Sequence, residues 1–227
     1  MSRSPVAVLL FTRSAGEEAV HKRFISHGTR AGNAAVAAQL IHLAETIASR
    51  AEVDFVRVDS ARQTGATFGE RLTNAMRRVF GQEYEYLLVM GNDCPQLTEH
   101  LLRQAAAAVQ QTGAVVGPAT DGGVYLLGMS RAVFESQDWD QLPWQTAQLG
   151  VVLRRQLPLA AGVLPVLADV DDEQGLAVAL RQRLTRPLLR RLRRLRGPQS
   201  VAQPAAVITV GQCADVAARP RRGPPAL

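Results

Sequence analysis

Three acidic segments lie where strand-like runs end. Gly91-Asn92-Asp93-Cys94-Pro95-Gln96-Leu97 follows the apolar run Tyr86–Met90. Gly117-Pro118-Ala119-Thr120-Asp121-Gly122-Gly123 follows Ala114–Val116, and Asp169-Val170-Asp171-Asp172 closes Leu164–Val170. Open α/β sheets bind ligands outside the carboxyl ends of their strands. A carboxylate there can hold Mg²⁺ or Mn²⁺, which bridges phosphate oxygens and takes only one or two protein carboxylates. Asp93 is the first candidate; the alternative is a cap for the helix after Pro95. Asp121 stands beside Gly122 and Gly123, which permit positive φ and close backbone approach; Asp-Gly is equally a hairpin turn. Alternation turns Asp169 and Asp171 to one side, where they can complete a metal site or supply charge at the next helix's start.

The loop after the first strand holds Thr12, Arg13, Ser14, Gly16, His21, Lys22 and Arg23. Backbone N–H groups and basic side chains in that position cradle phosphates. Glu17 and Glu18 oppose this charge. Trp139 reads as a core residue. Trp144-Gln145-Thr146 reads as a site element, with Thr146 capping the next helix. The four histidines (21, 27, 42 and 100) form no metal-ligand spacing. Neither a Gly-x-Ser-x-Gly nor a Walker motif occurs, so a serine triad and P-loop hydrolysis have no support.

Alternating strands and helices must position these residues. Val6–Phe11 reads as a buried parallel strand and 12–32 as a polar loop. Asn33 is predicted to cap a helix over 34–50. Strands are expected at 53–58, 86–90, 114–116, 124–129 and 164–170. Further helices are expected at 70–80, 98–111 and 146–156. The 124–129 strand should be antiparallel, because the loop before it is too short for a crossover. The class is therefore three-layer α/β/α with a mostly parallel sheet.

A chain of 227 residues that is 47% hydrophobic can bury one large α/β domain. No apolar run is long enough for a membrane span, and no cleavable leader is apparent. Cys94 and Cys213 are too few for a disulfide framework, which favours a cytoplasmic setting. The net charge of +6 is uneven: residues 1–180 carry 15 basic and 19 acidic side chains, whereas 181–227 carry 11 arginines and one aspartate. The main body thus has no basic field for nucleic acid. Residues 1–176 read as the domain and 177–227 as an appendage. In the appendage a helix over 176–195, interrupted at Pro187, precedes a Pro/Ala-rich tail with one weak strand, 206–210. Its leucines and arginines suit an anionic membrane surface, acidic protein surface or self-association.

These segments resemble a family of proposed bacterial glycosyltransferases with a GT-A-type nucleotide-diphospho-sugar transferase fold, some members of which are associated with arsenosugar biosynthesis. The resemblance rests on Phe11-Thr12-Arg13, Val20–Phe24, Gln63–Leu72, Gly91–Leu97, Gly117–Leu126, Trp144-Gln145-Thr146 and Asp169–Asp172. In this chain Asn92 replaces a serine, Val124 a tyrosine, and Thr67 and Gly175 acidic residues of the family pattern. The resemblance implies Mg²⁺ or Mn²⁺ held by Asp93 and Asp171, with Asp93 and Asp121 catalytic. It implies donor contacts from Phe11, Thr12, Arg13, Lys22, Arg23, Gln63, Gly69, Arg71, Asn92, Gly122, Gly123, Trp144 and Thr146. The implied reaction moves a sugar from a nucleotide-diphospho-sugar to an unidentified acceptor. Nucleotidyl transfer, or a catalytically inactive binding module on the same scaffold, are the other readings.

Overall fold

The computed structural model describes residues 4–181 and 186–196. Six strands form one sheet: β1 (Val6–Phe11), β2 (Asp54–Val58), β3 (Tyr86–Met90), β4 (Ala114–Pro118), β5 (Val124–Ser130) and β6 (Gly162–Val163). The order is β2-β1-β3-β5-β4-β6. β5 runs antiparallel to both neighbours and the other pairs are parallel. The five residues 119–123 between β4 and β5 leave no room for a crossover helix, as expected.

The period of two in β1 sorts its side chains between two cores. Ala7, Leu9 and Phe11 meet α3 (Phe68–Phe80), α5 (Arg131–Glu135) and α6 (Leu149–Gln156). Val6, Val8 and Leu10 meet α2 (Arg30–Ser49) and α4 (Glu99–Thr112) on the other face. A strand buried on both faces has no polar positions, which is why Val6–Phe11 is continuously apolar. The three-layer α/β/α class is the one expected from the sequence.

Several element boundaries differ from the sequence reading, each for a local reason. The first loop contains a helix, α1 (Ala15–His21), nucleated by a Ser14–Glu17 capping box. Thr29, not Asn33, caps α2. Asn33 is buried one turn in, where its amide bonds both Ile25 N and Ile25 O, at 2.9 and 3.2 Å. Thr67 caps α3 in a second capping box with Glu70, so the helix starts two residues early. Thr146 does not cap α6; its hydroxyl donates to Pro143 O at 2.7 Å. The run 164–170 is not a full strand. Pro165 lacks an N–H, and beyond β6 only Leu167 bridges the sheet, opposite Ala119. The α5 helix and a 3₁₀ turn at Trp139–Gln141 lie where a loop was expected.

The C-terminal helix is two helices, α7 (Glu173–Ala179) and α8 (Arg186–Arg196). Pro187 falls in the first turn of α8, where a missing N–H costs nothing, so it opens this helix rather than interrupting one. Leu188 and Leu192 are buried with Leu176, Leu180 and the α2 residues Val36, Ala37 and Leu40. This apolar side of α8 is therefore covered by protein, while Arg190, Arg191, Arg193 and Arg194 are exposed. The 206–210 strand expectation lies outside the described residues. Among the described residues no helix is long and apolar enough to cross a membrane.

Candidate functional site

The carboxyl ends of β1, β3 and β4 open onto one cavity of about 530 Å³. Its acidic side is assembled by backbone hydrogen bonds. Val170 N donates to Asp93 O at 2.8 Å and Thr120 N to Leu167 O at 3.0 Å. Ala168 N donates to Gln96 Oε1 at 2.9 Å. These three bonds lay the 167–170 segment across the turns that carry Asp93 and Asp121. Asp121 turns back to accept from Gly123 N at 2.8 Å. Gly91 permits the Asp93 conformation, since a Cβ there would lie 2.7 Å from Asp93 Oδ1.

Carboxylate oxygens of Asp121, Asp169 and Asp171 lie within 4.8 Å of one another. Burial, the hydrogen bond to Asp171 and the charges of Asp121 and Asp171 push Asp169 up to about 6. Crowded like charges of this kind are relieved by a proton or by a cation. An all-oxygen set suits a hard divalent ion such as Mg²⁺ or Mn²⁺, so the residues present fit the metal.

Asp93 is differently employed. Lys22 Nζ lies 2.9 Å from Asp93 Oδ2 and 2.6 Å from Asp171 Oδ1, with Glu18 at 4.0 Å. Burial alone would depress the ammonium; Asp93, Asp171 and Glu18 outweigh it and hold Lys22 above its ordinary value. Burial would likewise raise Asp93, but Lys22 holds its carboxyl below the usual range. The link between Asp93 and Asp171, expected from the resemblance to be a metal, is in this geometry the Lys22 ammonium. Asp171 is shared between Lys22 and the acidic trio.

The two glutamates expected to repel phosphate do other work. Glu17 completes the Ser14 capping box and also accepts from the Ser60 hydroxyl. Glu18 is buried beneath the basic residues, with Arg13 at 3.6 Å on one side and Lys22 on the other. It thus holds both cations at the cavity.

Of the site residues named from sequence, Phe11, Thr12, Arg13, Lys22, Gln63, Arg71, Asn92, Asp93, Asp121, Gly123, Trp144, Thr146 and Asp171 line the cavity. Arg23, Gly69 and Gly122 do not. Arg23 has an exposed side chain, and its backbone makes an isolated parallel β-bridge with that of Asp172. Gly69 lets α3 approach the Trp144 loop: a Cβ there would sit 2.5 Å from Asp140 O and 3.0 Å from Trp144 Cδ1. Gly122 has φ +90°, and a Cβ would lie 2.5 Å from Ala147 O. Its carbonyl also accepts from Gly150 N at 3.0 Å, docking the start of α6. Gly122→Ala therefore combines a left-handed backbone with a clash against main chain, and a loss of at least about 2 kcal/mol is expected in urea unfolding. An unchanged midpoint would refute this account of the turn.

Glu18, Phe68 and Tyr125 also line the cavity and were missed. Phe68 packs edge-on to Phe11 at 5.6 Å and tilted against Trp144 at 5.8 Å, giving one aromatic wall. It sits one residue after the Thr67 cap, and the Thr67-x-x-Glu70 signature was the signal available. The Trp144 indole donates to Trp139 O at 2.6 Å, so its N–H is used within the protein and its ring is the part offered to a ligand.

Residues 28–146 match a family model described as an uncharacterized protein conserved in bacteria, DUF2064. The chain belongs to this family. No curated protein matches this DUF2064 chain. Among solved structures, it is similar to a proposed nucleotide-diphospho-sugar transferase from Desulfovibrio desulfuricans G20, with 24% identity and a TM-score of 0.68 over 85% of this chain and 96% of that one. It is also similar to Rv0371c from Mycobacterium tuberculosis H37Rv, with 17% identity and a TM-score of 0.51 over 80% and 100% of the two chains. A structure of Rv0371c in complex with manganese gives 18% identity and a TM-score of 0.50, again over 80% and 100%. At these identities the likeness establishes the fold alone, an α/β architecture shared with that proposed nucleotide-diphospho-sugar transferase and with Rv0371c.

Proposed function

We propose that this DUF2064 protein is a metal-dependent glycosyltransferase that takes a nucleotide-diphospho-sugar donor. The observation that carries the reading is the meeting of Asp121, Asp169 and Asp171 within 4.8 Å at the sheet's carboxyl rim, beside a cavity also lined by Arg13 and Lys22. The manganese complex of Rv0371c supports the choice of ion.

In this reading Asp121, Asp169 and Asp171 would hold the ion, and a bound ion would supply charge neutralisation for the departing diphosphate. Arg13 and Lys22 face the same phosphates, and Glu18 keeps them there. The bond between the sugar's anomeric carbon and the diphosphate breaks. A bond to an acceptor oxygen forms, and the acceptor's proton leaves to a base. Asp93, already paired with Lys22, orients the ammonium. Phe68, Phe11 and Trp144 form the apolar wall for the nucleoside and exclude water.

The test is calorimetric titration of a panel of UDP-, GDP-, ADP- and CDP-sugars with and without Mn²⁺. Ion-dependent binding of at least one donor is expected. No binding across the panel would remove the proposal, and release of pyrophosphate from a nucleoside triphosphate would move it to nucleotidyl transfer.

Acidity supplies a second check. Protonated Asp169 competes with the ion, so Mn²⁺ affinity should fall as pH drops through about 6. A folded-state pKa above the unfolded value of about 3.9 means that the ion-free fold prefers the protonated acid and loses that stabilisation as pH rises from about 4 to about 6. Mn²⁺ should restore it. The Mn²⁺-induced rise in Tm is therefore expected to be larger at pH 7.5 than at pH 5. Equal rises at both pH values would count against Asp169 as a ligand.

A further inference from the structure

Asn92 is only 6% exposed, yet it lines the cavity, and its Nδ2 has no partner within the protein. Its Oδ1 lies 2.7 Å from Thr12 Oγ1, and that hydroxyl is also 3.0 Å from Arg13 O. A hydroxyl has one proton to give. If Thr12 donates to Asn92, the amide nitrogen is left over. If Thr12 donates to Arg13 O, the carboxamide can turn so that Nδ2 donates to Thr12 and Oδ1 is left over. Either way one buried amide atom is unsatisfied, a cost that a bound polar group removes.

A ligand hydroxyl answers both orientations, because it donates and accepts. A carbonyl answers only one, and a methylene neither. The place of Asn92 narrows the choice of hydroxyl. It lies in the turn after β3, beside Thr12 of the β1 turn, whereas Asp121 follows β4, two strands along the rim past β5. Strands lie about 4.8 Å apart, so the two positions are offset by about 10 Å. Lys22 links Asp93, the chain neighbour of Asn92, to Asp171 of the trio. The aromatic wall assigned to the nucleoside includes Phe11, the chain neighbour of the Thr12 that meets Asn92, so a diphosphate held at the acidic trio and Lys22 leads toward Asn92 with its nucleoside end, and the first hydroxyls it brings there are those of the ribose.

We infer that Asn92 is a specificity-determining residue that reads a ribose hydroxyl and makes the cavity selective for ribonucleotides over deoxyribonucleotides. This rests on the nucleotide-donor reading. The site would accept any base that fits the aromatic wall but would discriminate at the sugar.

The experiment is calorimetry with Mn²⁺ and matched sets of UDP, GDP, ADP and CDP with their 2′-deoxy and 3′-deoxy counterparts. Wild-type protein should bind a ribonucleotide at least about tenfold more tightly than one of its deoxy forms, because removing the hydroxyl leaves the buried amide unpaired. Asn92→Ala should bind the ribonucleotide no more tightly than that deoxy form, with the deoxy affinity within about twofold of wild type. Equal wild-type affinity for ribo and both deoxy forms would overturn the assignment, as would discrimination that survives in Asn92→Ala. If Asn92→Ala does not fold, the near-isosteric Asn92→Leu takes its place: discrimination should be lost there too, and its survival would overturn the assignment. Binding of all forms alike would sink only the role of Asn92. Binding of none of these, nor of any nucleotide-sugar in the donor panel, would sink the donor reading and this inference with it.

Discussion

Lys22→Met is expected to lower stability by about 2–4 kcal/mol and to abolish donor binding. Methionine keeps most of the apolar stem, so the change isolates the charge. Without the ammonium, Asp93 and Asp171 lose their shared cation and Glu18 keeps only Arg13. Removing one member of a fully buried pair costs about 3–5 kcal/mol. The figure here is reduced because the Asp93 and Asp171 side chains are 36% and 53% exposed and partly screened. Urea unfolding measures the loss. An unchanged midpoint would show that the cation does not organise the site, and unchanged donor affinity would show that it does not meet the phosphates.

Asp171→Asn is the second large effect, because this carboxylate serves both Lys22 and the trio. A Mn²⁺ affinity loss of more than about tenfold is expected, since even residues behind metal ligands cost about 10–100-fold. Asp172→Asn is the neighbouring control. Asp172 Oδ1 accepts from Gly175 N at 2.8 Å and caps α7. Asparagine caps comparably, so ion affinity should stay within about twofold of wild type. Similar losses in both variants would mean that charge near the rim, not Asp171 itself, governs binding.

What the sequence reveals and conceals here follows from the range of each interaction. Strands β1, β3 and β5 were legible because burial on one or both faces is written into consecutive residues. The antiparallel run of β5 was legible because chain length alone forbids the alternative. The acidic turns were visible as strand ends. Their division of labour was not: Lys22 reaches Asp93 across 71 positions, and no local pattern encodes that meeting. Glu18 looked like a repulsive intruder because a list of charges does not show that a helix turns it inward beneath Arg13 and Lys22. Gly122 looked like a ligand contact because a positive-φ glycine has the same sequence whether a phosphate or the Ala147 carbonyl approaches it.

Val170 has a consequence for how the ion's ligands are kept together. It is fully buried, packed with Phe24 and Leu176, and sits between Asp169 and Asp171. Burying a valine is favourable by about 1.5–3 kcal/mol. That apolar anchorage works against the mutual repulsion of the two aspartates on either side of it, so the rim is held in its binding shape before any cation arrives. Oil, as well as the Lys22 charge, preorganises the most charged corner of the molecule.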